Sequence, residues 1–418
     1  MPAFDSHRTP QAEIVADCVH CGFCLDTCPT YALWQNEADS PRGRIVLIGE
    51  ALTTAEELSE EMVTHFDRCL GCMACVSACP SGVRYDRLIE RVRPQVERHH
   101  RRSWRERALR LLVFESLPYP RRLRLLAAGL PAVRGLGAER LPGRLGAMVR
   151  TAPRGGLRAA VSSGVPERTP AVGGQRGRVG LLLGCVQRVF FADVHRATIG
   201  VLAAEGFEVL APGLPDCCGA LELHAGEEEA AAARAQATIS AFAGLGDLDY
   251  VVTNAAGCGS ALKEYGDLLE TDQARAFAAR VRDVSELLAS VEPVAPRRPV
   301  QLRVTYHDAC HLAHAQGVRS QPRELLASIP ELELVEVPAE AELCCGSAGI
   351  YNLMQPRAAA DLGRRKAQHV LDSGGQVVAA GNPGCVAQLD LHLRALGREL
   401  PIHHPVELLW RSIGPGGS

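Results

Sequence analysis

Cysteines are the residues of this chain with the clearest capacity for chemistry, because they occupy sixteen of its 418 positions. Half of them form two runs with the spacing C-x2-C-x2-C-x3-C-P. The first run is Cys18, Cys21, Cys24 and Cys28 before Pro29, and the second is Cys69, Cys72, Cys75 and Cys79 before Pro80. In bacterial two-cluster ferredoxins this pattern holds two [4Fe–4S] clusters, and the fourth cysteine of each run ligates the other run's cluster.

The two runs therefore predict two crossed ligand sets. Set one is Cys18, Cys21, Cys24 and Cys79, and set two is Cys28, Cys69, Cys72 and Cys75. Zinc is the alternative metal, but zinc sites usually use paired C-x2-C motifs with four ligands each. Two full runs, each ending in proline, favour iron–sulfur clusters and an electron-transfer role over zinc or a purely structural cluster pair.

The other eight cysteines belong to an internal repeat. Each copy has a single cysteine, a Cys-Cys-Gly and a later single cysteine: Cys185, Cys217, Cys218 and Cys258 in the first unit, and Cys310, Cys344, Cys345 and Cys385 in the second. The first gaps are 32 and 34 residues, and both gaps from the Cys-Cys pair to the last cysteine are 41. Such spacing indicates a duplicated supersecondary unit. Four thiolates per unit predict a third cluster or a zinc ion, with inert buried thiols as the alternative.

Short apolar runs alternate with helical stretches in both units. The runs predicted as strands are 179–183, 207–210 and 249–253 in the first unit, and 302–306, 332–337 and 376–380 in the second. This alternation predicts α/β units with largely parallel sheets. The cysteines follow strands, and ligand crevices of such sheets lie beyond the carboxyl ends of the strands.

The segment between the ferredoxin runs predicts a helix. Thr54 and Glu57 have capping-box spacing, and Leu58, Met62 and Phe66 recur every four residues before Cys69. This pattern is similar to the helical ferredoxin domains of succinate dehydrogenase-like subunits. The predicted fold class is therefore α+β multidomain, with an α-helical two-cluster ferredoxin domain followed by a duplicated α/β Cys-Cys-Gly domain.

The predicted domain boundaries follow the cysteine distribution. Residues 1–97 hold the ferredoxin-type domain, 98–176 form an arginine-rich helical linker, and 177–290 and 300–410 are the first and second units. The linker segment Trp104–Phe114 predicts a basic amphipathic helix that contacts an anionic membrane surface, docks a partner subunit or simply connects the domains. We expect Pro118, Pro120 and Pro131 to interrupt its helical structure.

Histidines near the second unit's cysteines are further candidate ligands. His307 and His311 are four residues apart, as on one helix face, and His314 follows. Helix-surface or hydrogen-bonded core positions are the more frequent role of such histidines, so we expect no metal ligation from them. We expect His403 and His404 to be solvated.

Composition excludes several function classes. With 45 basic and 48 acidic residues the net charge is −3, and aromatic residues make up 5%, so nothing indicates nucleic-acid binding. The N-terminus lacks a secretory pattern and no apolar run reaches membrane-spanning length. We therefore expect a cytoplasmic protein whose thiols serve as ligands rather than disulfides, with peripheral contact at the inner face of the membrane.

Several motifs together resemble one known family, the iron–sulfur subunits of glycolate oxidase (glycolate dehydrogenase). The matching segments are His20-Cys21-Gly22-Phe23-Cys24, Cys28-Pro29-Thr30-Tyr31, Pro41-Arg42-Gly43-Arg44-Ile45, Cys79-Pro80-Ser81-Gly82-Val83-Arg84-Tyr85, Gly257-Cys258-Gly259, Lys263-Glu264-Tyr265-Gly266 and Leu343-Cys344-Cys345-Gly346-Ser347-Ala348-Gly349. The resemblance implies flavin-containing partner subunits that oxidise glycolate to glyoxylate, with electrons passing through this chain toward quinone or another acceptor.

The chain carries no flavin fingerprint, because Gly135-Leu136-Gly137 lacks a preceding strand and a third glycine. We therefore expect no catalytic residues here and no glycolate oxidation by this chain alone. The Cys-Cys-Gly units are also similar to heterodisulfide reductase catalytic subunits, whose unit ends in C-x2-C. Ala261 and Gln388 stand at those last positions, which disfavours the five-cysteine cluster.

Three alternatives to the glycolate hypothesis remain. The first is the equivalent subunit of a lactate or glycerol 3-phosphate dehydrogenase system. The second is a heterodisulfide reductase-like thiol/disulfide enzyme, and the third is a cluster-bearing redox sensor or scaffold.

Overall fold

The computed structural model describes residues 3–53, 57–141, 143–154 and 164–414. It has an N-terminal helical domain, a helical connector and two α/β units, which confirms the predicted fold class. Among the described residues, no helix combines the length and apolar character needed to cross a bilayer.

The N-terminal domain is built from short helices around one core. They are Ala12–Ala16, Pro29–Trp34, Pro41–Thr53, Glu60–Arg68, Ala74–Ala78 and Tyr85–His99, with a 3-10 turn at Glu37–Asp39. Ile48, Phe66, Leu88 and Val92 are fully buried in this core together with several of the ferredoxin cysteines. The cluster-binding loops are therefore fixed by packing of amphipathic helices.

The helix before Cys69 begins later than the sequence predicts. Thr54 of the predicted capping box lies outside the described residues. The helix starts at Glu60 because the Ser59 side chain accepts a hydrogen bond from the Met62 amide, which satisfies an N-terminal donor. Leu58 therefore precedes the helix, and Phe66 keeps its predicted core position.

The connector consists of helices Trp104–Phe114, Pro120–Gly135 and Gly143–Thr151, with a 3-10 turn at Ala138–Arg140. Leu109 and Val113 pack against Ile350 and Leu353 of the second unit. The expectation that Pro131 interrupts the helix is wrong: it lies inside Pro120–Gly135, whereas Pro120 occupies the first turn, where proline costs no hydrogen bond.

The first unit contains a five-stranded sheet in the order β1-β3-β2-β4-β5. The strands are β1 Arg168–Thr169, β2 Gly177–Leu181, β3 Phe207–Leu210, β4 Tyr250–Thr253 and β5 Val281–Asp283. All pairs are parallel except β1 with β3. Its helices are Val186–Phe190, Ala192–Ala204, Ala220–Leu223, Glu228–Ala243, Ala256–Leu269, Asp272–Ala279 and Val284–Ala289.

The second unit contains a fully parallel four-stranded sheet in the order β7-β6-β8-β9. The strands are β6 Leu302–His307, β7 Leu332–Val335, β8 Val377–Ala380 and β9 Ile402–His403. Its helices are Ser320–Ala327, Tyr351–Met354, Pro356–Asp372, Pro383–Ala395 and Pro405–Ile413, with a π-helical turn at His311–Ala315. All six predicted strand runs therefore overlap a strand, and the first begins two residues earlier than predicted.

The two units share one hydrophobic core. Val179 and Leu202 of the first unit and Val304 and Val406 of the second belong to the same buried cluster. At the crossing of helices Ala192–Ala204 and Pro405–Ile413, a Cβ on Gly200 would lie 2.6 Å from the Trp410 ring, so only glycine permits this approach. The close packing holds the two sheets in a fixed relation.

Candidate metal centres

Set one lies at the surface of the helical domain. Cys18, Cys21 and Cys24 line one cavity together with Cys75 and Cys79 from the second run. Cys21 is exposed, and the other three residues of the set are partly exposed. The backbone carbonyl of His20 accepts a hydrogen bond from Arg42 Nη1 at 3.0 Å, which fixes the loop between the first two cysteines. The ligand assignment itself stays a prediction.

Set two is buried in the domain. Cys28, Cys69, Cys72 and Cys75 are each at most 8% exposed. Burial raises the pKa of the Cys72 and Cys75 thiols, and neighbouring cysteines add to the effect. No disulfide forms among the described cysteines. Four clustered buried thiols that repel one another as thiolates are the donor set that a cationic iron–sulfur core requires.

A buried charge network supports set two. Arg44 Nε donates to the His65 carbonyl at 2.7 Å, and Asp39 accepts from Arg44, His65 and Arg68. Burial alone would raise the pKa of the Cys69 thiol. The positive charge of Arg44, and to a smaller extent that of Arg93, holds that pKa below its usual value. The spacing of the cysteines does not predict this network. The signal that could have identified it is an arginine inside the apolar face of helix Pro41–Thr53.

Backbone and side-chain donors also point at one sulfur of each predicted ligand set. The Gly71 amide lies 3.4 Å and the Tyr85 hydroxyl 3.6 Å from Cys69 Sγ. The Val83 amide lies 3.4 Å from Cys79 Sγ. Hydrogen bonds to sulfur and solvent exposure both tune cluster potentials, so the two sets have different electrostatic surroundings.

The first unit brings its four cysteines together beyond the ends of β2, β3 and β4. Cys217 interacts with Cys185 and Cys218, and Cys218 also interacts with Cys258. The Gly219 amide donates to Cys217 Sγ at 3.4 Å, and the Tyr265 hydroxyl donates to the Cys218 carbonyl at 2.6 Å. The predicted convergence of these thiols is therefore seen in the structure, whereas their metal ligation is not tested by it.

The second unit repeats this chain of thiols and adds a histidine. The sulfurs of Cys310 and Cys344 are 3.9 Å apart. Hydrogen bonds from Cys344, and to a smaller extent from Cys385, hold the pKa of the Cys345 thiol well below its usual value. His307, Cys345 and Cys385 offer ligand atoms that all lie within 4.8 Å of one another.

The histidine expectations need correction at two positions. His307 is the last residue of β6 and therefore shares no helix face with His311. His404 is buried rather than solvated, because its side chain accepts from the Val406 amide and caps helix Pro405–Ile413. His311 and His314 form hydrogen bonds at the contact with the helical domain. This agrees with the expectation that they occupy hydrogen-bonded core positions.

The second unit packs directly against the loops of set two. His311 Nε2 donates to the Gly71 carbonyl at 2.9 Å, and His314 Nδ1 lies 2.7 Å from Ser77 Oγ. Cys310 is partly buried and packs against the buried cluster that contains Cys72. Burial raises the pKa of the Cys72 thiol, and Cys310 raises it further. The thiols of the second unit are therefore neighbours of the ferredoxin thiols.

A cavity of about 230 Å³ lies beside Cys69, where the helical domain, the connector and both units meet. Its lining includes Arg93, His224, Met354 and Tyr351. The Tyr351 hydroxyl is buried and has no hydrogen-bond partner among the described residues. Sequence reasoning missed this cavity because its walls come from four separate regions of the chain.

Two family models match parts of this chain. Residues 14–83 match the family model described as a 4Fe-4S dicluster domain, and residues 179–263 and 304–390 match the one described as a cysteine-rich domain. The prediction of two [4Fe–4S] clusters in the N-terminal domain is thereby confirmed, while the individual ligands stay predicted.

Three relatives illustrate the range of similarity. A protein named probable glycolate oxidase iron-sulfur subunit from Bacillus subtilis (strain 168) is 33% identical over 97% of this chain and 96% of its own length. The glycolate oxidase iron-sulfur subunit of Escherichia coli (strain K12) is 33% identical over 96% of this chain and 94% of its own. Lactate utilization protein A of Oceanobacillus iheyensis is 29% identical over 56% of this chain and 96% of its own.

Proposed function

Because the chain belongs to the family of glycolate oxidase iron–sulfur subunits, we propose that it serves a glycolate dehydrogenase complex as its electron-transfer subunit. In this proposal it accepts electrons from a flavin-containing subunit that oxidises glycolate to glyoxylate, and it delivers them toward a quinone. The chain itself supplies no residue to the oxidation of glycolate.

The observation that carries the proposal is the placement of sets one and two in a single helical core. One set is accessible and the other is buried against the second unit. Bound [4Fe–4S] clusters supply one-electron transfer. The residues of this chain hold the two positions in a fixed relation and give them different exposure, as a relay between a donor and an acceptor requires.

In this proposal the flavin-containing subunit, which donates the electrons, docks at the exposed edge of set one. Val19 and Phe23, which flank Cys21, are 68% and 66% exposed. Large apolar side chains at such exposure are frequent at protein interfaces. They support docking of the flavin-containing subunit at this edge.

The acceptor side is the cavity beside Cys69. Its lining mixes apolar side chains such as Met354 with charged ones such as Arg93, and it contains the unpartnered Tyr351 hydroxyl and the His224 ring. Apolar surface beside polar groups suits the ring and the carbonyl oxygens of a quinone headgroup. Tyr351→Phe removes the hydroxyl and little else. We expect it to raise the KM for a soluble quinone while leaving reduction of an artificial dye unchanged.

The connector supports peripheral contact with the cytoplasmic face of the membrane. Its helices expose Leu111, Leu125 and Leu145 in a segment that is rich in arginine. Apolar side chains flanked by cations are typical of helices that lie on anionic lipid. Flotation with vesicles that contain anionic lipid tests this proposal: wild type should float, whereas the variant Leu125→Glu/Leu145→Glu should remain with the unbound protein.

Co-purification tests the functional assignment. The tagged chain should retain a flavoprotein from its own cells, and the pair should reduce a dye when glycolate is added. Lactate is the control substrate, because one relative is named for lactate utilization but matches only 56% of this chain. Retention of no flavoprotein, or a faster rate with lactate than with glycolate, would contradict the proposal.

A thiol/disulfide activity has less support. The position that would carry a fifth cysteine in the second unit is Gln388, which is buried and donates to the Ala359 carbonyl at 2.9 Å. The equivalent position of the first unit is Ala261, also buried. Neither side chain offers a thiolate.

A further inference from the structure

His307 is a buried polar side chain without an oxygen or nitrogen partner. It is 1% exposed, neither ring nitrogen meets hydrogen-bond geometry with an oxygen or nitrogen atom of a described residue, and the group with which the ring interacts is the Cys345 thiol. Burying an imidazole without a hydrogen bond costs free energy, so nearly all buried polar groups in proteins are paired. An exception at the end of a central strand needs a physical reason.

The reason lies in what surrounds the ring. β6 ends at His307, the loop after β7 carries Cys345, and the first turn of helix Pro383–Ala395 carries Cys385. All three residues are buried, and their ligand atoms lie within 4.8 Å of one another. Asn382 Nδ2 donates to Cys385 Sγ at 3.5 Å, which orients that sulfur.

The spacing of these atoms fits one metal ion. Zinc bonds of about 2.3 Å to sulfur and about 2.0 Å to nitrogen place tetrahedral ligand atoms roughly 3.5–3.8 Å apart. The present separations exceed that geometry by at most about 1.3 Å, which side-chain rotations can close. A cubane binds its thiolates on separate iron atoms and therefore needs a wider set.

We propose that the second unit holds a single zinc-class divalent ion on His307, Cys345 and Cys385. Two thiolates and one imidazole form a borderline-soft donor set of the kind that zinc prefers. The fourth position goes to Cys344, whose thiol interacts with that of Cys345, or to a water molecule. The site lies outside sets one and two and does not depend on the substrate of the partner subunit.

The first unit lacks the nitrogen ligand. His307 precedes Cys310 by three residues, and the residue three before Cys185 is Leu182, which packs in an apolar core cluster. In residues 3–53, 57–141, 143–154 and 164–414, no other three such side chains approach as closely. The duplication therefore provides four thiols twice, and one substitution makes the second unit a mixed site.

Metal analysis of the full chain, purified without oxygen, tests the proposal. We expect one zinc per chain beside about eight iron atoms from two cubanes. His307→Leu, which reproduces Leu182, should lower zinc by at least about tenfold with iron unchanged. His307→Cys should restore zinc, and Cys258→Ser in the first unit should leave it at one.

Cobalt substitution identifies the ligands. The thiolate-to-cobalt absorption of the wild type should be that of two thiolates with water, or of three if Cys344 is the fourth ligand, and His307→Leu should abolish it. If His307→Leu is insoluble, Cys385→Ser provides the same two readouts. A wild type with about twelve iron atoms and no zinc would overturn the proposal. So would a folded His307→Leu variant with undiminished zinc.

Discussion

The two α/β units share a chain path but differ at their buried histidines. His195 of the first unit contacts the Leu183 carbonyl at 2.9 Å through Nε2 and the Asn254 amide at 3.0 Å through Nδ1, so both ring nitrogens are satisfied. His307 of the second unit has neither kind of contact and faces two thiols. The first histidine stabilises a loop, whereas the second is available to a metal.

The two units also differ in how they meet the helical domain. The contacts of the first unit with it include ion pairs, such as Arg8 with Glu228 at 2.9 Å and Arg87 with Asp267 at 3.1 Å. The second unit packs Cys310 against the buried cluster that contains Cys72. The two units thus share one fold, and individual side chains and the domains packed against each unit determine its chemistry.

The largest expected effect separates the equivalent cysteines Cys385 and Cys258. Cys385→Ser removes one of three proposed zinc ligands, so zinc content should fall from one per chain to near zero. Cys258→Ser should leave zinc unchanged. Plasma emission analysis of both variants measures the difference, and equal zinc in the two would remove the distinction between the units.

A smaller effect tests whether the two units share one core. Gly200→Val places methyl groups where the Trp410 ring lies, and overpacking of this kind costs about 1–3 kcal/mol. We expect a lower apparent Tm of the whole protein. Gly174→Val is the matched control because no atom lies within 4 Å of its added Cβ. An equal change in the two variants would indicate that the units do not depend on that contact.

The free energy of unfolding should depend on pH through the protonation of His195. Burial is the main cause that lowers its pKa to about 3, against about 6.5 in the unfolded chain. The native state therefore keeps His195 neutral while the unfolded state takes up a proton, and stability falls as the pH drops from about 6.5 toward 3. At pH 5 the loss is about 2 kcal/mol.

The variant His195→Gln isolates this contribution. The decline of its apparent Tm between pH 7.5 and 5 should be shallower than that of wild type, because one proton-linked group is gone. An unchanged slope would show that His195 does not control the acid sensitivity of the first unit.

The smallest expected effect concerns the contact with the helical domain. His311→Ala leaves the Gly71 carbonyl without its donor and should cost about 1 kcal/mol. The equivalent residue of the first unit is Val186, one position after Cys185, and Val186→Ala is the control. Hydrogen exchange of the 69–75 loop should increase in His311→Ala alone, and equal exchange in both would contradict a specific role for the second unit.

Local patterns in the sequence made much of the fold predictable. The six strand runs were readable because apolar residues alternate with helical stretches, and the cysteines lie where strands end. The first run extended too far because Leu182 and Leu183 are apolar for packing reasons beyond the end of β2.

The features that the sequence does not predict depend on contacts between residues far apart in the chain. Arg44, the Tyr351 cavity and the thiols facing His307 each depend on segments far apart in the chain. His404 looks like a solvated residue in a polar stretch, and only the helix that it caps explains its burial.

The most direct test of the central claim is electron paramagnetic resonance of the purified chain mixed with glycolate, with and without its flavin-containing partner. We predict that iron–sulfur signals appear within the turnover time only when both proteins and glycolate are present. Reduction of this chain by glycolate alone, or no reduction with an active partner, would contradict its role as the electron-transfer subunit.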